Sequence, residues 1–89
     1  MNKQRRKEIE KIIMELSDAK SKLEKLSARI ETVLDEEQYA FDNLPEGIQD
    51  SERGDIMQRN VDSLESAYDG IDNAINEIND AIAYFDDIE

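Results

Sequence analysis

Apolar residues fall along the first half of the chain in steps of three and four. Ile9, Ile12, Leu16, Ala19, Leu23, Leu26, Ile30, Val33, Glu37, Ala40 and Leu44 form one unbroken series, and only Glu37 in it is polar. Side chains three and four apart share one face of a helix, so the series predicts a coiled-coil seam. Ile13, Leu34 and Phe41 lie beside this stripe and widen it. No Gly or Pro interrupts residues 1–44, and the Lys, Glu, Leu and Ala there favour helix. Glu15, Lys22 and Arg29 flank the seam with alternating sign, as edge positions of paired helices often do.

The second half has its own series. Met57, Val61, Leu64, Tyr68, Ile71, Ile75, Ile78, Ile82 and Phe85 follow steps of four and three without a fault. The stretch AYDGIDNAINEINDAIAYFDD, residues 67–87, divides into sevens that each open on Ala. Ala67, Ala74 and Ala81 thus make a row of small residues beside the stripe, where another helix can come close. The strict period predicts a gentle left-handed supercoil. Gly70 falls on the outer face and costs about 1 kcal/mol relative to Ala.

Between the two series lies FDNLPEGIQDSERGD. Leu44 precedes Pro45 and is pushed away from helical angles, so the first helix should stop near Asp42 or Asn43. Pro45 and Gly47 mark a turn. Asp50 or Ser51 is placed to cap the second helix, with Glu52 and Asp55 suiting the dipole at its start. The expected fold is all-α: a single helical-hairpin domain over residues 1–89, antiparallel and coiled-coil-like. Helix 1 covers about 4–43, the loop about 44–51 and helix 2 about 52–87, each helix roughly 55 Å long at about 1.5 Å per residue. Stripes about three positions per heptad wide exceed what one neighbour covers. A homodimer forming a four-helix bundle is the expected remedy.

Composition narrows the chemistry. The 89-residue chain has no Cys, His or Trp, which removes disulfides, thiolate and imidazole metal sites, and Ser-His-Asp or Cys-His catalysis. The longest apolar run, Ala81 to Phe85, is five residues, against about 20 for a membrane span. A cytoplasmic protein is expected, with no membrane partner. Charge is uneven. Residues 1–34 hold nine Lys/Arg against six Asp/Glu, a net +3, and residues 35–89 hold two against seventeen, a net −15. Phosphates would be repelled, so direct nucleic-acid binding is not expected and a basic protein partner is favoured.

Several candidate sites follow. Asp62, Glu65, Asp69, Asp72, Glu77 and Asp80 avoid the apolar stripe of helix 2. They could imitate a row of DNA phosphates, or simply be a solvated acidic face. DGIDN and NEIND faintly resemble calcium loops but lack the twelve-residue spacing, and no metal or cofactor is expected. Glu37, a lone charge on a seam, is a weak candidate for acid/base work; it more often marks register or a fraying bundle end. No enzyme activity is expected. Lys3, Arg5, Arg6 and Lys7 could meet an anion, although a solvated terminus explains them as well. Tyr39, Phe41 and Tyr68 could line an intersubunit pocket. Leu44, Pro45 and Glu46 form either a bundle cap or a recognition tip.

The loop also carries a resemblance. Asn43-Leu44-Pro45-Glu46, then Ser51-Glu52-Arg53-Gly54, then the Ala/Ile/Asp/Glu heptads from Ala67 resemble small acidic proteins of phages, prophages and mobile elements of Gram-positive bacteria. The likeness spans residues 34–82. It implies no particular activity. It does imply a protein that binds, and in some cases blocks, host factors such as restriction or CRISPR proteins.

Overall fold

The computed structural model describes all 89 residues and contains helices only. α1 spans Lys3–Asp42. Asn2 caps it, its Oδ1 accepting the Arg5 amide at 2.8 Å and so satisfying one of the helix's free donors. At the other end Asn43 leaves the helix, and its backbone N–H and its Nδ2 donate to the Tyr39 carbonyl at 3.1 and 2.7 Å.

The expected open loop contains a further helical turn, α2 (Glu46–Gln49). Pro45, with φ at −55°, already holds the angle a helix start needs. Its carbonyl accepts from Ile48 and Gln49 at 2.8 and 3.0 Å. Gln49 then reaches back, its Nε2 donating to the carbonyls of Phe41 at 3.1 Å and Asp42 at 3.4 Å. These are end carbonyls of α1 that no helical amide can reach. One side chain therefore ties the turn to the helix before it.

α3 spans Glu52–Asp86, with Ser51 at its cap position and Glu52 and Asp55 in its first turn. Ser51 does not cap in the expected way. Its hydroxyl donates to the Ile48 carbonyl instead, so it closes α2 rather than opening α3.

The molecule measures 68 × 15 × 14 Å. A 40-residue helix is itself about 60 Å long at 1.5 Å per residue, so α3 lies beside α1 instead of prolonging it. Every member of the α3 series from Met57 to Phe85 is buried or half-buried. Val61, 1% exposed, and Ile75, 8% exposed, are the only buried apolar side chains.

The α1 seam departs from the expected one. Ile9, Leu16, Leu23, Ile30 and Glu37 are half-buried, as the 3-4 series requires. Of their expected alternates Ile12 and Ala19 are half-buried, but Leu26, Val33 and Ala40 are exposed; toward the loop the half-buried residues are instead Ser27, Leu34 and Phe41. At mid-rod Tyr68 of α3 lies near Ser27 and Glu31 of α1, and there the row of Leu26, Val33 and Ala40 faces away from α3.

Gly54 continues the α3 series toward α2 and is buried. A Cβ there would collide with the Gln49 carbonyl and lie 2.8 Å from its Cα. Nothing lies within 4 Å of a Cβ at Gly70. Gly54→Ala should therefore lose about 1–3 kcal/mol through overpacking, whereas Gly70→Ala should gain about 0.5–1 kcal/mol. Urea unfolding of both variants checks this; equal and same-signed shifts would contradict the packing described for Gly54.

Candidate functional site

The periodicity of α3 sorts its carboxylates. Asp62, Glu65, Asp69 and Asp72 are spaced three, four and three apart, so they form one stripe. Glu77 follows five residues after Asp72, about 140° further round the helix at 100° per residue. It leaves the stripe, whereas Asp80, eighteen residues or five turns beyond Asp62, returns to the angle of Asp62. All six are exposed. Five of the six expected residues thus share one stripe, and Glu77 lies to its side.

The stripe does not stand alone. Tyr68 lies between the helices beside it, and Glu31 and Ser27 of α1 and Asp72 of α3 surround its hydroxyl. The phenol is held above its ordinary value, first by hydrogen bonding to Glu31 and the charge of that carboxylate. Partial desolvation and Asp72 add to this, and Ser27 opposes it. One side of the molecule therefore gathers acid from both long helices.

The other side is apolar. Leu26, Ile30 and Val33 of α1 and Leu64 of α3, with Arg29 at the edge, line a shallow open concavity. Leu26 is 43% and Val33 49% exposed. Ile12, Ala19, Leu26, Val33 and Ala40 recur every seven residues, so on a coiling helix they form one continuous row. The α3 row of Met57, Leu64, Ile71, Ile78 and Phe85, each half-buried, borders it. The width of the apolar stripe pointed to this surface in sequence; which row would be left open did not show there.

The loop residues are arranged unequally. Pro45 and Glu46 are exposed, while Leu44 is half-buried, its N–H donating to the Phe41 carbonyl at 3.1 Å. Ile48 is exposed. Gln49 and Gly54, which fix the turn, were not foreseen. Gly54 had a legible signal, since it sits seven residues before Val61 where a bulky residue is otherwise expected; Gln49 had none.

At the opposite end Arg6, Ile9, Glu10 and Ile13 of α1 and Phe85, Asp86 and Ile88 line a second concavity. Lys3, Arg5, Arg6 and Lys7 are exposed there. Tyr39 is exposed and Phe41 half-buried near the loop, whereas Tyr68 is midway along the rod, so the three do not share a pocket. Glu37 is half-buried in the α1 seam. No three His, Cys, Asp or Glu side chains converge as metal ligands, and DGIDN and NEIND lie inside α3. No helix is long and apolar enough to cross a membrane.

No protein-family model matches the chain, and no curated protein or solved structure matches it.

The raised Tyr68 phenol has a pH consequence. The unfolded chain loses this proton near 10.0 and the folded one above it. The contribution is therefore complete below pH 10.0 and is lost as pH rises through the folded value. Ultraviolet titration should find a tyrosine step above pH 10.0 that Tyr68→Phe removes. Persistence of that step in the variant would contradict the contact with Glu31.

Proposed function

We propose that the chain is a non-enzymatic, antiparallel helical hairpin that self-associates and binds another protein. The pairing of residues near the start of α1 with residues at the end of α3 supports the hairpin. So does the placement of Ser27 and Glu31 against Tyr68 in mid-rod.

The observation that carries self-association is the open apolar row with Leu26 and Val33 at its centre. Accessible surface amounts to 6814 Å², against roughly 5,400 Å² for a compact monomer of this mass. The excess, about 1,400 Å², is larger than the roughly 800 Å² each partner gives to a standard interface. A second hairpin laid on this face makes a four-helix bundle and supplies the layer of core that two helices lack. The resemblance at the loop supports an origin in a phage or mobile element, and with it work in the cytoplasm of a bacterial host. The loop tip at Leu44, Pro45 and Glu46 and the acidic side remain free in such a bundle to meet a partner of basic character.

A second reading is an acidic DNA-mimic that inhibits a host nucleic-acid-binding or defence protein of restriction or CRISPR type. Its specific support is the single stripe of Asp62, Glu65, Asp69 and Asp72, exposed along its whole length.

Light scattering tests self-association. The expected mass is about twice the 10.3 kDa of one chain, and Leu26→Glu with Val33→Glu should return it to one. A clean monomer at micromolar concentration defeats the bundle. For the mimic, Asp62→Lys with Asp69→Lys and Asp72→Lys should cut binding to a basic partner at least tenfold and flatten its salt dependence. Unchanged binding rejects it.

A further inference from the structure

The open row does not by itself say which way round a second copy lies, but the charge along the rod does. The loop end, residues 35–60, carries eight Asp/Glu and two Lys/Arg, a net −6. The opposite end joins residues 1–11, with five Lys/Arg and two Asp/Glu, to residues 80–89, with four Asp/Glu and no base, a net −1. Arg6 and Asp86 line one concavity at that end, which places the cationic arm and the acidic tail side by side.

Two arrangements bring the apolar faces together about a twofold axis. In one the axis runs along the rod and both loop tips lie at the same end. In the other it crosses the rod, and each tip lies over the partner's chain ends. The first sets −6 beside −6 at helix-packing distance, about 10 Å. The second separates the tips by most of the 68 Å length, many times the roughly 8 Å screening length at physiological ionic strength. It also brings Asp35, Glu36 and Asp42 of one copy to the end bearing Lys3, Arg5, Arg6 and Lys7 of the other. These acids and bases are all exposed and thus able to respond.

We propose that a second copy of this chain docks on the apolar row in the crossed, tip-to-tail sense, so that each acidic loop tip rests over the nearly neutral chain ends of its partner, where Lys3, Arg5, Arg6 and Lys7 lie. The inference rests on the self-association read above and adds its direction. In this arrangement α1 crosses over α1 of the partner and α3 over α3, with Leu26 and Val33 at the shared face. The two loop tips then point away from each other, so the assembly offers two separate recognition ends.

The chain has no cysteine, so one can be placed at will. Spin labels on Glu46→Cys report the tip-to-tip distance by pulsed electron resonance; labels mixed from Glu46→Cys and Lys3→Cys protein report tip-to-tail. The crossed arrangement predicts a tip-to-tip distance of roughly 60 Å, from about 40 residues at 1.5 Å each, and a new, much shorter distance in the mixture. A short tip-to-tip distance in a particle of twice the monomer mass overturns the orientation and leaves self-association standing. A particle of one chain's mass with no distance between labels removes the reading beneath it as well, and leaves the row to a foreign partner. A larger oligomer showing both short distances also overturns the proposal.

Discussion

A helix can be covered by one neighbour over only part of its circumference, and both long helices here are apolar over more than that part. The consequence runs through the whole molecule. α1 and α3 meet along their full length, yet only Val61 and Ile75 have buried apolar side chains. The remainder of the seam is half-covered. A two-helix layer has no interior in the sense that a three- or four-helix bundle does, so its residual apolar surface must be met by another surface or stay wet.

Tyr68 lies on the side away from that surface. A phenol between two helices needs its hydroxyl near polar groups. Ser27 and Glu31 meet that need from α1 and Asp72 lies nearby on α3. One flank of the pair is thereby polar and acidic. The rows of Leu26 and Val33 and of Leu64 are consigned to the other flank. The two faces of the rod thus differ in kind, one suited to packing and one to charge.

The connection between the helices is rigid for its length. Pro45 starts α2, the Ser51 hydroxyl closes it, Gln49 binds the end carbonyls of α1 at Phe41 and Asp42, and Gly54 lets α3 start against the Gln49 backbone. Polar side chains thus take up groups that a looser loop would leave to water. Fixed in this way, the turn holds Pro45 and Glu46 outward at the end of the rod.

The sequence by itself determined that the chain is helical and where apolar residues repeat, because a period of three and four is a local property that a single helix expresses. The α3 series from Met57 to Phe85 is legible residue by residue for that reason. The cap at Asn2, the turn α2 and the role of Gln49 were not legible, since each depends on which free backbone group lies within reach. Only the tertiary structure decided which rows of α1 face inward. Leu26 and Val33 are as apolar as Leu34 and Phe41, and hydrophobicity alone cannot rank them. The choice fell to the fit against α3, because packing selects by the geometry of the partner helix and not by the sequence that surrounds each residue.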